Sequence, residues 1–192
     1  MLDILREAAR DLASLKYPLA VIGGIAVGAR TTPRTTTDVH LCVAVATDQE
    51  AEGVVADLTA RGYILTLALE QTDTGRLSLV RLRSPIDGET YVDLVFASSG
   101  IEDLVAADAD GVDVGGVEVP VAALGHLVAL KVLSNSARRA HKDAVDLDVL
   151  LSGIDDAELA RARAGVRLIM ERGSARGRNL VTELEQHLAG RS

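Results

Sequence analysis

The stretch from Ala20 to Val45 constrains this chain more than any other part of it. It runs Ala-Val-Ile-Gly-Gly-Ile-Ala-Val-Gly-Ala-Arg, then Thr-Thr-Pro-Arg-Thr-Thr-Thr, then Asp-Val-His-Leu-Cys-Val-Ala-Val. Two apolar runs flank a polar loop, and the second run opens on an acid. Leu19 to Ile22 reads as a short buried strand. Gly23-Gly24 lets the backbone turn sharply and opens a helix of small residues to about Ala29. Pro33 forbids helix continuation, so Thr31 to Thr37 is loop, and Asp38 to Val45 is the next strand. Backbone amides at such a helix start can hold an anion, and a strand carboxylate beside them can hold a metal.

The rest of the chain supplies a frame for that stretch. Apolar residues from Leu2 to Leu15 recur at helical spacing, with Asp3 as the expected N-cap. Thr47-Asp48 caps a helix from about Gln49 to Arg61, which stops at Gly62. Tyr63 to Leu69, Leu77 to Leu82 and Thr90 to Phe96 read as strands, and Asp87-Gly88 marks a hairpin between the last two. Ser98 to Ala109 is loop or a short helix, and Val112 to Val121 is a ribbon turning around Gly115-Gly116. From Ala122 the pattern is helical: Leu124 to Leu133, Ala140 to Leu151, a helix capped by Asp155-Asp156 running to about Arg172, and a fourth capped by Ser174. The order predicts an α+β fold, a mixed sheet flanked by helices with a helical C-terminal subdomain. Residues 1–121 form the core and 122–192 a helical part packed on it as one structural unit.

Composition narrows the function. Aromatic residues are 2% of the chain, with no Trp, so stacking platforms for single-stranded nucleic acid are excluded. A net charge of −8 argues against a general nucleic-acid coat, which needs clustered positive charge. The single cysteine, Cys42, allows no intrachain disulfide. With an N-terminus unlike a signal peptide and no apolar run of about 20 residues, the chain is expected to be cytoplasmic, with no membrane partner.

Side chains two apart on a strand share a face, so Asp38 and His40 point the same way. Asp93 lies mid-strand in Tyr-Val-Asp-Leu-Val-Phe, where a carboxylate is costly unless paired or bound to metal. No Gly-x-x-x-x-Gly-Lys-Ser/Thr or Gly-x-Gly-x-x-Gly segment occurs, so P-loop and dinucleotide sites lack support.

The combination of Gly23-Gly24, then Arg34-x-Thr36-x-Asp38-Val39, then Asp93 resembles the DNA-polymerase-beta-like nucleotidyltransferase superfamily. It is most similar to the small bacterial, toxin-like members of toxin–antitoxin and abortive-infection systems. Lys131 in its helix, followed by Arg139-x-x-Lys142-Asp143-x-x-Asp146, extends the resemblance over roughly residues 17 to 151. The resemblance implies transfer of NMP from an NTP to a hydroxyl acceptor, whether a tRNA or a small molecule, and a cognate antitoxin as partner. Gly23, Gly24, Arg34, Thr36, Lys131, Arg139 and Lys142 would hold the nucleotide. Asp38 and Asp93 would hold Mg²⁺, with Mn²⁺ as a substitute, and Asp93 would help activate the acceptor hydroxyl.

The sequence departs from that pattern at His40, where the family has a second aspartate. A neutral imidazole has one lone pair and no charge and cannot bridge two metals. Three outcomes follow: binding without turnover, turnover with one metal on Asp38 and Asp93, or a nitrogen-tolerant metal that includes His40 as ligand. Cys42 follows on the same strand face, which makes a His-x-Cys metal pair conceivable. Arg138, Arg139, His141 and Lys142 could neutralise a triphosphate, whereas Asp143 and Asp146 could pair with Lys142 or Arg139 instead of touching substrate. Arg161, Arg163, Arg167, Arg172, Arg176 and Arg178 crowd the last helices, where a solvated face interleaved with Glu158 and Glu171 competes with an acidic-partner or tRNA surface.

Overall fold

The computed structural model describes residues 1–33, 35–72, 74–135 and 140–190, with the backbone alone at 140–143. Its elements follow in chain order: α1 (Leu2–Ser14), β1 (Leu19–Ile22), α2 (Gly23–Arg30), β2 (Val39–Val43), α3 (Asp48–Ala60), β3 (Ile64–Glu70), β4 (Leu77–Arg83), β5 (Tyr91–Val95), α4 (Glu102–Ala107), β6 (Asp110–Asp113), β7 (Glu118–Val121), α5 (Leu124–Ser134), α6 (Ala140–Ser152), α7 (Asp156–Glu171) and α8 (Leu180–Ala189). The fold is α+β, as the element order predicts.

One sheet carries the seven strands in the order β3-β4-β5-β2-β1-β7-β6. It is mixed. β1 pairs antiparallel with β2 and parallel with β7, β2 pairs parallel with β5, and β3-β4, β4-β5 and β6-β7 are antiparallel. Apart from His40, the central strands β1 and β2 are built of Ala, Val, Leu, Ile and Cys, and Ala20, Val21, Val39, Leu41 and Val43 are fully buried. Helices α2 and α4 pack on β1 and β2, α3 packs on β3 and β4, and α5 is held by α2, α6, α7 and α8. The edge strand β3 is exposed along its length, and Leu67 and Leu69 remain among the exposed large apolar side chains.

Two helix starts differ from the sequence reading. Helix α1 is capped by Met1, whose carbonyl accepts from the Leu5 amide at 2.9 Å. Asp3 lies inside the first turn, where its charge suits the helix dipole and pairs with Arg6 at 2.5 Å. Helix α8 is capped by Asn179, whose side chain accepts from the Thr182 amide at 3.1 Å. Ser174 cannot serve there, because left-handed residues at Gly173, Arg176 and Gly177 keep the chain turning until Asn179. The α3 start follows the sequence: Thr47 and Glu50 form a reciprocal capping box.

Candidate functional site

Strand register builds the centre of the site. Arg81 on β4 pairs with Asp93 on β5, Asp93 with His40 on β2, and His40 with Ile22 on β1. Paired positions on neighbouring strands share a face, so Arg81, Asp93 and His40 form a row across the sheet. Asp38 lies on that face one residue before β2 begins. Gly23 follows Ile22 at the start of α2, with φ +68°. A Cβ on Gly23 would come within 2.9 Å of His40 Nδ1, so both the backbone twist and the closeness of the imidazole require glycine.

A cleft of about 610 Å³ opens over this row. Gly23, Gly24, Thr36, Asp38, His40, Asp93 and Lys131, seven of the residues singled out in the sequence, line it together. Helix α2 has no side-chain cap, so its first amides are not satisfied by a side chain of their own helix start. Lys131 arrives from α5 and pairs with Asp146 of α6 at 2.8 Å. Asp146 is only 2% exposed and thus pairs with Lys131, a partner the sequence did not suggest. Arg34 and Arg139, with Arg138, lie outside the described residues, as do the side chains of His141, Lys142 and Asp143.

Arg81 is the residue sequence reasoning missed. Its Nε and Nη2 each donate to Asp93 at 2.7 Å, a bidentate pair. The guanidinium also stands 3.9 Å from Asp38 Oδ2 and 5.0 Å from the centre of the Tyr91 ring. The hydrogen bonds to Asp93 hold its pKa above the ordinary arginine value. Asp93, at 2% exposure, is therefore a buried carboxylate neutralised by a cation. His40 Nε2 lies 3.3 Å from the same carboxylate. Burial lowers the imidazole pKa against the pull of Asp93 and Asp38, so His40 is neutral at pH 7.

The metal expected at Asp38, His40 and Asp93 meets this arrangement badly. The Asp93 carboxylate carries a guanidinium, position 40 offers a neutral nitrogen, and a cation already stands beside Asp38. Among the described residues, no three or more His, Cys, Asp or Glu side chains gather in a metal-holding group. The donor set does not fit a two-metal centre of hard, oxygen-coordinated cations. Cys42 gives no help. It is 1% exposed, its thiol donates to the Glu102 carbonyl at 3.8 Å, and burial pushes its pKa up. It is a core residue that packs under α4.

Four of the six C-terminal arginines form local pairs. Arg161 meets Glu158 and Asp108, Arg163 meets Glu185, Arg172 meets Asp103, and Arg178 meets Glu183. Arg176 differs, because it lines the cleft, beside Ser98 and Ser99. Leu67, Leu69 and Leu79 of the β3-β4 hairpin add an apolar wall. Alternating strands reveal such side chains but not which cleft they border.

The architecture recurs in solved structures. It superposes on an antigenic nucleotidyltransferase-like protein from Paracoccidioides brasiliensis, with 19% identity, a TM-score of 0.53 and 90% of each chain covered. It also superposes on the antibiotic-resistance factor ANT(2'')-Ia, with 15% identity, a TM-score of 0.58, and 90% of this chain and 92% of that one covered. The chain has the nucleotidyltransferase fold. The lincosamide antibiotic adenylyltransferase LnuA, solved with lincomycin bound, shares it at 14% identity and a TM-score of 0.50, over 79% of this chain and 97% of that one. No family model and no curated protein matches the sequence. Among the described residues no helix is long and apolar enough to cross a membrane.

Proposed function

We propose that this chain is a nucleotidyltransferase-like protein that takes a nucleoside triphosphate in the cleft above Asp38, His40 and Asp93. The observation that carries the reading is convergence. Residues from β1-α2, the loop before β2, β5 and α5, chosen from sequence alone, line one cleft in a fold shared with nucleotidyltransferases. The uncapped amides of Gly23 and Gly24 suit a phosphate. Thr36 offers a hydroxyl, and Lys131 offers charge in exchange with Asp146. The apolar wall of Leu67, Leu69 and Leu79 suits a base or the acceptor.

In the fold's transferase reading, the α-phosphate is attacked by a hydroxyl of a small molecule or tRNA and pyrophosphate leaves. One specific observation favours a second reading, in which the nucleotide is bound without turnover. Position 40 carries an imidazole where metal-assisted transfer calls for a carboxylate, and Arg81 occupies both oxygens of Asp93 and competes with a metal for them. Triphosphate binding is the function the cleft supports best, and turnover comes second. A toxin role with an antitoxin partner, and a cytoplasmic location, belong to the same proposal and rest on the sequence motifs.

Incubation of the protein with each α-labelled NTP, Mg²⁺ or Mn²⁺ and cell extract separates the two. Binding in calorimetry with no label transferred supports the bound-without-turnover reading. Label transfer that Asp38→Ala abolishes establishes the transferase reading.

A further inference from the structure

The cations of the cleft are not equivalent. Arg81 is committed to Asp93 through two hydrogen bonds of 2.7 Å, and Lys131 to Asp146 at 2.8 Å. Arg176, on the turn between α7 and α8, also lines the cleft. Among the described residues it forms no ion pair, and its Nη2 donates to the Ser98 hydroxyl at 3.3 Å. The charges of Arg81 and Lys131 are already partly offset by buried carboxylates, whereas an anion that meets Arg176 replaces only a neutral hydroxyl contact. Charged hydrogen bonds are the stronger kind, so the exchange favours the anion.

The backbone holds Arg176 in place. Its φ is +56°, one of two non-glycine residues in the left-handed region among those described. That conformation is costly for a side-chain-bearing residue, and surrounding contacts must impose it. Arg172, four residues earlier, anchors the same segment by donating to the Gly100 carbonyl and pairing with Asp103 at 2.8 Å. Gly100 itself has φ +76°, and a Cβ there would meet Ser174 Oγ at 2.8 Å. The α7-α8 turn is thus tied to the loop that carries Ser98, and Arg176 lines the cleft beside that serine.

We infer that Arg176, with Ser98, is the principal side-chain site for the polyphosphate of the bound nucleotide. The inference rests on the triphosphate reading above and adds a residue that the sequence motifs do not contain. The left-handed backbone makes Arg176→Gly an unusually clean test, because glycine relieves the strain while removing the charge.

Calorimetric titration with inorganic tripolyphosphate and with ATP is the experiment, alongside thermal melts. Arg176→Gly is expected to melt no lower than the wild type and to lose about 10- to 100-fold in affinity for both ligands, the usual scale for one charged hydrogen bond. Arg176→Lys, which keeps the charge without the fork, is expected to fall between. Wild-type affinity in Arg176→Gly would overturn the inference and leave nucleotide binding intact. A wild-type chain that binds neither ligand would overturn both.

Discussion

At the scale of single residues, Arg81 decides the character of the site. Its partner Asp93 is buried, and a buried carboxylate left alone is strongly penalised. Arg81→Met is therefore expected to lower the unfolding free energy by about 3 kcal/mol. Arg81→Met/Asp93→Leu should recover most of that loss, since removing both charges strands neither. Urea denaturation of the two variants checks this. Equal destabilisation in the single and double variants would mean that the pair is not coupled. The sequence showed Asp93 to be an anomaly, a charge with apolar neighbours on a strand, and suggested metal as its compensation. It did not show Arg81, because alternation within Leu77 to Leu82 reveals a face but not a register. Only the pairing of β4 with β5 puts residue 81 beside residue 93.

At the scale of elements, the helical C-terminal part is held by a close crossing of α5 and α7. A Cβ on Gly125 would lie 2.3 Å from the Glu158 carbonyl, and one on Gly165 would lie 2.9 Å from the Ala129 methyl. Gly125→Ala gains helix propensity but forces the helices apart. The net cost is expected to be about 1–2 kcal/mol, seen as a lower melting midpoint. His126, next in α5, gives this interface a pH dependence. Its Nε2 lies 2.9 Å from Asp108, whose carboxylate also meets Arg161, while Nδ1 is buried without a hydrogen-bond partner among the described residues. Burial holds the folded pKa below the ordinary 6.5, against the raising effect of Asp108. As pH falls through 6.5, the unfolded chain takes up a proton that the folded chain refuses, so stability falls. Above that value the effect vanishes. His40 acts in the same sense, so the measurement is a difference: the urea midpoint lost between pH 7.5 and pH 5.5 should be smaller in His126→Leu than in the wild type. The helices themselves were legible from apolar spacing. The crossing was not, because a glycine within a helical run does not say what it touches.

At the scale of the whole molecule, the cleft is shared by both parts of the chain. Gly23, Asp38 and Asp93 come from residues 1–121, and Lys131 and Arg176 from residues 122–192. This supports the proposal that the two parts form one unit. The fold was legible because its strands and helices carry clear periodicities and turn residues. The positions around the cleft were legible where glycines, a polar loop and a misplaced acid stood out locally. What stayed hidden depends on distant pairing: Arg81 against Asp93, Lys131 against Asp146, and Arg176 carried in by the last turn. The most direct measurement is calorimetric titration of the full chain with ATP, GTP, CTP and UTP, repeated with Gly23→Ala, whose new methyl would collide with His40. The structure predicts one site per chain for at least one NTP, weakened at least about tenfold in the variant, a loss on the scale of one charged hydrogen bond. No binding of any NTP, or binding that the variant leaves unchanged, would contradict the placement of a nucleotide in this cleft.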